Sequence, residues 1–443
     1  MSGALPELPE RFFVHAHVGG KLLPVGVVER TGRAWPPVQR GLRFRYGKRW
    51  LDSVDTDSFE IDPINLPFGS GWIPAPADTE IHGAFRDAGP DGWGQELIRK
   101  RWVDRQIGMV EILLSGAGER TGLLGFSTDT SGRSAHDSID AEPIELEELL
   151  RISDAIQENE AAPPEIARLL GHGSSLGGAR PKAGFRHKHA LWVAKFPHRE
   201  DDIDVQKAEA ACLDMAEAIG IVTPAREVVE VRGAGNAPRT ILLVKRFDRI
   251  ETDNGAVRLA YLSAETVLGR TGGTYNSTLR YGDLMAIATR LGHAAVGAGG
   301  AGPEIFRRLL LNVVVHNTDD HLRNHAFIRA GGKWRLSPVF DVVPQAPGND
   351  QMALGLVRTR FPTIAEAIEA ARTLALDDEE ASASAANALP VLARWREFMA
   401  KRGVVDADMR RLAPRFAEID RWASDHGSAR KPKPSSSSSG PSL

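Results

Sequence analysis

Cysteine is scarce in this sequence: Cys212 is the only one among 443 residues. A single cysteine excludes an intramolecular disulfide and a zinc site built on paired cysteines, and it fits a reducing cytoplasm. No run approaches the ~18 uninterrupted apolar residues of a transmembrane helix. The opening "MSGALPELPERFF" also lacks the basic and apolar regions of a signal peptide. We therefore expect a soluble, cytoplasmic protein with no membrane partner.

An excess of charge of one sign is also missing. The 55 basic and 58 acidic residues give a net charge of −3, so the whole chain has no general attraction to nucleic acid or to a membrane surface. An apolar content of 42% supports a sizeable core, and the length is typical of two or three domains. The low-complexity end "SARKPKPSSSSSGPSL" predicts a disordered tail over residues 428–443.

The first part of the chain contains short runs in which apolar and polar residues alternate. "FVHAHVGGKLLPVGVV" and "LRFRYG" have this period of two, which predicts strands joined as hairpins. His15 and His17 occupy the polar positions and are predicted to face solvent, not to bind a metal. "AFRDAGPDGWGQELI" predicts a tight Pro-Asp-Gly turn that leads into a helix. The polar, acidic stretch at about 130–165 predicts a boundary after this β-rich region.

The pattern changes from residue 173 onward. "LWVAKF" predicts a buried strand, and "QKAEAACLDMAEAIG" predicts a helix whose apolar face includes Ala208, Cys212 and Met215. Cys212 is therefore expected in the core and not as a nucleophile. A second strand is predicted around "ILLVKRF". The remainder to about residue 425 is predicted to be mostly helical, with "PEIFRRLLLNVVVHN" as a buried helix led by Pro303.

Three features in this second part, taken in order, indicate a phosphate site. "GSSLGGARPK" is a small-residue loop whose N–H groups could face an anion, although it matches neither standard phosphate-binding signature and could equally be an ordinary turn. Lys195 lies inside an apolar strand, where a lysine either reaches out to solvent or meets a fixed anion. Glu209 follows on the next helix. Protein kinases hold ATP phosphates with a glycine-rich loop, a strand lysine and a helix glutamate in this order.

"NTDDHLRN" supplies the next element. Asp319 precedes Asn324 by five positions, which is the spacing of kinase catalytic loops. In such a loop the aspartate meets the substrate hydroxyl, while the chain returns the asparagine oxygen to a magnesium ion on the phosphates. Asp341, in "SPVFDVVP", could supply a second hard oxygen ligand for that ion.

A competing interpretation of the same stretch is a transition-metal site. Its candidate ligands are His316, Asp319, Asp320, His321 and His325. His321 and His325 lie one helical turn apart, which is a possible ligand spacing, but no H-E-x-x-H signature is present. This interpretation also leaves Lys195 and Asp341 without a role. We therefore favour the kinase, with Asp320, His321 and His325 as supports of the loop.

Taken together, the motifs resemble the HipA family of bacterial serine/threonine kinases, the toxins of HipA–HipB toxin–antitoxin pairs. The resemblance extends from about residue 10 to residue 425 and rests on "FRDAGPDGWGQELI", "GERTGLLGF", "SSLGGARPKAGF", "WVAKF", "LLVKRFDR", "NTDDHLRN" and "LSPVFDVVP". It implies an α+β, two-lobed protein-kinase-like fold with a β-rich N-terminal subdomain and a mainly helical C-terminal lobe. The implied divisions are an N-terminal subdomain (1–135), an ATP-binding lobe (136–250), a helical catalytic lobe (251–427) and the tail (428–443).

The resemblance also implies roles for single residues. Asp319 would be the catalytic aspartate, Asn324 and Asp341 would bind Mg²⁺, and Lys195 would contact the ATP phosphates. The backbone of Lys245 to Phe247 would bind adenine, although the family usually has glutamate where Lys245 stands. The remaining residues implied to contact ATP are Ser175, Gly177, Gly178, Ala179, Arg180, Lys182 and His321.

The implied activity is transfer of the ATP γ-phosphate to a protein serine or threonine with Mg²⁺. In the family the target is a translation component, with glutamyl-tRNA synthetase the best-known example. Autophosphorylation of the phosphate-loop serine, which matches Ser175 or its neighbour Ser174, switches the kinase off, as a charged serine would repel ATP. A HipB-like antitoxin is the implied partner, and DNA would be contacted only through it. The alternative is a catalytically silent corepressor, which would not need Lys195 and Asp319 intact.

Overall fold

The structure is a computed structural model. It describes residues 9–31, 41–52, 58–76, 79, 81–102, 107–115, 120–132, 144–159, 163–171, 178–233, 237–253, 255–269, 279–293, 300–345, 352–356 and 360–427. The predicted tail at 428–443 and two of the predicted phosphate-loop residues, Ser175 and Gly177, therefore lie outside the described residues, as does Ser174.

The first region is built on an antiparallel sheet with the strand order β4-β3-β2-β1-β5. Its elements are β1 (Arg11–Val18), β2 (Lys21–Thr31), β3 (Gly41–Tyr46), α1 (Lys48–Asp52), β4 (Ile73–Pro74), α2 (Gly83–Ala88), α3 (Gly92–Arg101), α4 (Met109–Leu114) and β5 (Leu124–Ser127). The predicted hairpin forms at Gly19-Gly20, where both residues have the positive φ that a tight turn requires. The strand predictions for this region are confirmed.

The prediction that His15 faces solvent is wrong. β5 pairs with β1 on the side opposite β2, so His15 lies in a strand with neighbours on both edges. The turn after β5 also covers it, because Gly132 lies close to the His15 ring. His15 is buried, and its Nε2 shares a hydrogen bond of 2.7 Å with Ser127 Oγ. His17 is half-buried.

The second region contains a four-stranded antiparallel sheet of order β6-β7-β9-β8. Its elements are α5 (Leu146–Gln157), α6 (Pro163–Gly171), β6 (Lys182–His187), β7 (Ala190–Lys195), α7 (Val205–Ala218), β8 (Arg226–Arg232) and β9 (Pro238–Lys245). The strand, helix and second strand predicted here are all present. Cys212 is fully buried on α7, which confirms its assignment to the core.

The third region is mainly helical, as predicted, and includes two small sheets. Its elements are β10 (Arg249–Thr252), β11 (Gly255–Arg258), β12 (Ala260–Ser263), α8 (Ala264–Leu268), α9 (Tyr281–Arg290), α10 (Ala301–Val314), β13 (Ala326–Ala330), β14 (Lys333–Leu336), α11 (Ile364–Glu369), α12 (Asp378–Leu392), α13 (Trp395–Lys401), α14 (Asp406–Leu412) and α15 (Ala417–Gly427). The catalytic-loop candidate connects α10 to β13, so a buried helix and a sheet strand hold its two ends.

Two large apolar clusters stabilise the protein. One is shared by the first sheet and the helices of the third region, and includes Phe44, Phe85, Leu310 and Trp395. The other lies under the four-stranded sheet and includes Trp192 with residues of α5 and α6. Helix α3 belongs to the second cluster, although its sequence lies within the predicted N-terminal subdomain. The chain segment that leads into α3 therefore reaches from one region to the other.

Among the described residues, no helix is both long enough and apolar enough to cross a membrane.

Candidate active site

Lys195 stands at the end of β7 and faces two carboxylates. Its Nζ lies 2.5 Å from Oε1 of Glu209 on α7, and it also donates to Oδ1 of Asp341 in the segment after β14. A strand lysine is thus joined to a helix glutamate, as the order of the motifs suggested. The side chains of Lys195 and Glu209 are 15% and 6% exposed, and that of Asp341 is 28% exposed. The pair is therefore largely buried, with Asp341 on its open side.

Lys182 adds a second cation. It begins β6 and stands directly opposite Lys195 in the β6–β7 pair. A Cβ built on Gly178 would lie 2.6 Å from Lys182 Nζ and 3.8 Å from Asp341 Oδ2, and Gly178 has a φ of +97°. Glycine is favoured there because its φ is strained for any residue with a side chain, and an added Cβ would also displace the Lys182 ammonium group. We call Lys182, Lys195, Glu209 and Asp341 the charged quartet.

The charges of the quartet shift the pKa values of its members. Burial opposes ionisation of Asp341, but the charges of Lys195 and Lys182 outweigh it and lower its pKa to about 2. Burial also opposes the charge on Lys195, yet Asp341 and Glu209 raise its pKa. Burial lowers the pKa of Lys182 and raises that of Glu209. Asp341 is therefore the firmly ionised carboxylate of the quartet and faces two lysines.

The backbone at Asp341 has an unusual conformation. Its φ is +56°, a left-handed value that is uncommon for residues other than glycine and that often marks functional positions. The preceding residue, Phe340, packs against Phe247 with ring centroids 5.5 Å apart. Val339 donates its N–H to the Val222 carbonyl at 2.9 Å. These contacts fix the chain immediately before Asp341, whose carboxylate accepts from Lys195.

Asp319 and Asn324 lie together in the loop after α10. Asn324 belongs to a short 3₁₀ turn (Leu322–Asn324), and its Nδ2 donates to the Asp319 carbonyl at 2.8 Å. This bond fixes the amide plane and leaves the Asn324 Oδ1 as the available ligand atom. The Asp319 side chain is 47% exposed, and His321 Nε2 lies 3.8 Å from its Oδ1. His321 also contributes to the low pKa of Asp341, so the loop lies close to the quartet.

The neighbouring carboxylate, Asp320, has a different environment. It is 2% exposed, and its Oδ1 lies 2.8 Å from His325 Nε2. Its Oδ2 accepts a hydrogen bond from the Tyr281 hydroxyl group. The hydrogen-bond chain continues from Asn312 Nδ2 to the Tyr281 hydroxyl and from Asn317 Nδ2 to Asn312 Oδ1, both at 3.0 Å. We call Tyr281, Asn312, Asn317, Asp320 and His325 the buried network. It supports the loop from below, as the sequence interpretation of Asp320 and His325 expected.

The histidines of the alternative metal site do not converge. His316 stacks on Phe361 with ring centroids 3.8 Å apart, and its Nε2 lies 3.0 Å from Arg415 Nη1. His325 is buried against Asp320. In the part of the chain that the structure describes, no group of three or more histidine, cysteine, aspartate or glutamate side chains could hold a metal ion. The transition-metal interpretation therefore has no geometry to support it.

The predicted adenine contacts are partly occupied by the sheet. The N–H of Lys245 donates to the Ala225 carbonyl at 2.8 Å, and the N–H of Arg246 donates to the Leu191 carbonyl at 3.0 Å. Of the three backbone donors from Lys245 to Phe247, that of Phe247 remains for a base. Arg246 is held by a buried bond to Asp248, with 2.9 Å between Nε and Oδ1. Two of the three backbone N–H groups are therefore bonded within the protein, and fewer of them than expected can bind adenine.

Among the described residues of the predicted phosphate loop, three have different environments. Gly178 lies beside Lys182 and Asp341 of the quartet. Ala179 packs against Gly92, because a Cβ built on Gly92 would lie 2.9 Å from the Ala179 Cα. Arg180 points elsewhere: its Nη1 donates to Asp201 Oδ2 at 3.0 Å, and its side chain is 44% exposed. The structure thus brings Gly178 and Lys182 to the quartet, whereas Arg180 forms a surface ion pair.

Several residues that the sequence interpretation did not single out border this site. Tyr261 on β12 stacks near Phe247, with ring centroids 6.5 Å apart, and the charges of Asp341 and Arg323 reach its hydroxyl. Arg323 lies inside the catalytic-loop motif and pairs with Asp91 of the Pro-Asp-Gly turn. The available signal for Arg323 was its position between His321 and Asn324. For Tyr261 no signal was available, because its position depends on the β12–β13 pairing.

The residues of the site suit a phosphate ligand with Mg²⁺. Lys195 and Lys182 supply positive charge, and Asp341 and Asn324 supply hard oxygen atoms of the kind Mg²⁺ prefers. At Gly178 the backbone comes close to Lys182 and Asp341 without a side chain in between, which is the cradle that a phosphate group needs. The donor set and the shape of the site agree.

Comparison with known proteins gives one family and one fold. The family model of the HipA-like C-terminal domain matches residues 174–395, half of the chain. HipA of Shewanella oneidensis MR-1, in a complex with HipB and its operator DNA, is similar with a TM-score of 0.64 and 16% identity over 95% of this chain and 100% of that one. This likeness establishes the α+β fold, and the predicted two-lobed arrangement with a β-rich N-terminal subdomain and a mainly helical C-terminal lobe is confirmed.

A weaker likeness is to the proinflammatory kinase CtkA of Helicobacter pylori, with a TM-score of 0.34 and 12% identity over 56% of this chain and 95% of that one. No curated protein matches the chain significantly.

Proposed function

Because this chain belongs to the HipA family, we propose that it is an ATP- and Mg²⁺-dependent protein serine/threonine kinase. The observation that carries the proposal is the contact of Lys195 Nζ with both Glu209 and Asp341, beside a loop that holds Asp319 and Asn324. A lysine–glutamate pair and a metal-binding aspartate must both be in place for phosphoryl transfer in protein kinases. These residues come from four separate parts of the sequence, so their convergence supports the proposal.

Each residue has a defined task in the proposed reaction. Lys195 and Lys182 bind the phosphate oxygens, and Glu209 keeps the Lys195 ammonium group in position. A Mg²⁺ ion held by Asn324 and Asp341 would neutralise charge on the phosphates when it is bound. Asp319 orients the substrate hydroxyl and accepts its proton, because this carboxylate is exposed to an incoming protein. The Phe247 N–H and the carbonyls beside it are the hinge groups that could bind adenine.

The proton and the bonds balance in this scheme. The hydroxyl oxygen of a serine or threonine forms a bond to the γ-phosphorus while the bond from that phosphorus to the bridging oxygen breaks. ADP leaves with the bonding electrons, and the hydroxyl proton passes to Asp319. Asp320 takes no part in the transfer, because both of its oxygens are occupied inside the buried network. Its task is to hold the chain that carries Asp319.

Partners and regulation follow from the family. HipA of Shewanella oneidensis MR-1 was found with HipB and its operator DNA, which supports a HipB-like antitoxin as the partner of this chain. DNA would then be contacted only through that partner. We further propose that this protein is a toxin that phosphorylates a translation component, such as glutamyl-tRNA synthetase. Autophosphorylation of Ser175, as in the family, would switch it off, because a charged serine in a phosphate-binding loop would repel ATP.

The proposal is tested by phosphoproteomics after expression of the wild type, of Asp319→Asn and of Asp378→Asn. Asp378 is an exposed aspartate whose Oδ1 accepts from Arg372 Nε at 2.7 Å, so its variant is a matched control that removes the same charge from a surface ion pair. We expect the same new phosphoserine or phosphothreonine sites with the wild type and the control, and none with Asp319→Asn. Identical sites with all three proteins, or none with any, would refute the kinase assignment. A wild type that binds a HipB-like protein but transfers no phosphate would favour the silent corepressor instead.

A further inference from the structure

Asp91 connects the first region of the protein with the candidate catalytic loop. It precedes α3 as its N-cap residue, a position where an aspartate side chain commonly accepts a backbone N–H of the same helix. Here it makes no such bond. Its Oδ2 instead lies 2.7 Å from Nη2 of Arg323, in the turn that ends with Asn324. The carboxylate therefore does not cap α3 but pairs with the catalytic loop, while the backbone N–H groups of Gly92 and Gly178 also stabilise its charge.

The same turn also touches the end of the phosphate loop. The N–H of Trp93, in the first turn of α3, donates to the Gly178 carbonyl at 3.1 Å. Gly92 packs so closely that a Cβ would lie 2.6 Å from the Gly178 carbonyl oxygen, and its φ is +29°. Gly178 is the residue that faces Lys182 and Asp341. One short segment, Asp91 to Trp93, thus contacts both loops that border the quartet.

Arg323 is enclosed by carboxylates from the first and third regions. Its Nε lies 3.6 Å from Glu265 Oε2, in addition to the Asp91 contact, and its side chain is 17% exposed. Asp87, on α2, accepts hydrogen bonds from the backbone N–H of Ser263 at 2.7 Å and from its hydroxyl group at 2.8 Å. Burial opposes the charge of Arg323, but Asp91, Asp87 and Glu265 outweigh it and raise its pKa. The guanidinium therefore stays charged and is held from both sides.

We propose that Asp91 is a positioning residue that couples the phosphate loop to the catalytic loop, with Arg323 as its partner. The role rests on the proposed kinase function, which needs Gly178 and Asn324 in register at the same nucleotide. Without the Asp91–Arg323 pair the turn around Asn324 loses its tie to the segment that contacts Gly178. The N-terminal region then contributes a positioning residue to the active site.

The test compares Asp91→Asn with the control Asp378→Asn. Asparagine is preferred at the N-cap position about as strongly as aspartate, so Asp91→Asn removes the charge without a less favourable residue at the start of α3. Asp378 also stands in the first turn of a helix and pairs with an arginine, but this pair is exposed, with 71% exposure of both side chains. We expect kcat/KM for ATP to fall roughly tenfold or more in Asp91→Asn, because small displacements of positioned groups are costly. Asp91→Glu, which keeps the charge, should recover part of this loss, and the control should match the wild type.

A second readout does not depend on activity. Hydrogen–deuterium exchange of the nucleotide-free proteins should be faster in Asp91→Asn at both 178–182 and 319–325, with no change in the control. Faster exchange in α3 alone, together with wild-type kcat/KM, would show that Asp91 only stabilises its helix and would overturn the coupling. If the wild type transfers no phosphate while the two segments still respond together, the kinase proposal fails and the structural coupling stands. Failure of the segments to respond together removes the coupling whatever the activity.

Discussion

Asp319 and Asp320 are adjacent in sequence and have opposite environments. The Asp319 side chain is 47% exposed, whereas Asp320 is 2% exposed and bonded through both oxygens. The same contrast separates the two groups of polar residues near the site. The charged quartet places two lysines against two carboxylates beside an opening, and the buried network links its members by hydrogen bonds beneath the loop.

The charged quartet is suited to binding a ligand, whereas the buried network stabilises the loop. Opposed charges at an opening can be exchanged for the charges of a ligand, so the quartet can bind phosphate and a metal ion. A closed network whose bonds are made within the protein has little to offer a ligand, and its loss would weaken the fold. Substitutions in the quartet should therefore change activity most, and substitutions in the buried network should change stability most.

The largest effect in the quartet is expected for Lys195→Met. This change removes the charge that meets the phosphates and leaves Glu209 and Asp341 without their shared cation. We expect kcat/KM for ATP to fall by about 10²- to 10³-fold, the usual cost of losing one charge-stabilising group. The measurement is steady-state phosphate transfer. The control is Lys207→Met. Lys207 also lies on α7, and its Nζ is 2.8 Å from Oε1 of Glu230 on β8. Equal loss in both variants would contradict a special role for Lys195.

In the buried network the matching test is Asp320→Ala. It leaves the Tyr281 hydroxyl and His325 without their acceptor in the interior, so the free energy of unfolding should fall by about 3 kcal/mol. Urea unfolding measures the change. Asp319→Ala, at the exposed neighbour, should change the free energy of unfolding by less than about 1 kcal/mol. If the two alanine variants were equally stable, the distinction between the groups would be wrong.

Asp341→Asn should change the acid dependence of stability. The native pKa of Asp341 is about 2, below its ordinary value of 3.8. Its ionised form therefore contributes fully above that ordinary value, and the contribution is lost as the pH falls through the native pKa. This contribution is worth about 2 kcal/mol. The asparagine variant should thus show a flatter decline of the unfolding free energy between these two pH values, in urea titrations against the wild type. Parallel declines would mean that Lys195 and Lys182 do not stabilise this charge.

The smallest effect is expected for Arg180→Ala. Its guanidinium pairs with Asp201 at the surface, and exposed ion pairs contribute less than about 1 kcal/mol. KM for ATP should rise no more than about threefold, because the pair directs Arg180 away from the quartet. Titration with ATP in transfer assays measures this. A rise of KM comparable to that of Lys195→Met would show that Arg180 leaves Asp201 to bind nucleotide, as its place in the phosphate-loop motif suggested.

Much of the fold could be predicted from local patterns. Alternation identified β1, β2 and β3, and helical spacing placed Cys212 in the core. His15 was misjudged because alternation describes one strand and cannot show that a turn from beyond β5 covers its polar face. Burial of that kind depends on contacts between residues far apart in sequence. The helix glutamate, Glu209, was found by order along the chain, and the structure joins it to Lys195.

Residues of the candidate site could be predicted where one sequence motif contains several of them. They could not be predicted where a role depends on a contact between residues far apart in sequence. The spacing of Asp319 and Asn324 pointed to a loop that the structure does fold with these residues in contact. The role of Asp91 was hidden, because an aspartate before a helix is ordinarily a cap and its pairing with Arg323 spans more than two hundred residues. The occupied N–H groups at Lys245 and Arg246 likewise depend on partners in other strands.

If Asp319 takes part in the chemistry and Asp320 only supports the loop, one rate should depend strongly on Asp319. That rate is the initial rate at which Asp319→Asn transfers radiolabelled γ-phosphate from ATP in the presence of Mg²⁺, relative to the wild type. Equal midpoints of urea unfolding should first show that the two proteins are equally stable. We expect a loss of about 10²- to 10⁴-fold, the range for removal of a general base. A rate within twofold of the wild type would show that Asp319 is not the catalytic carboxylate.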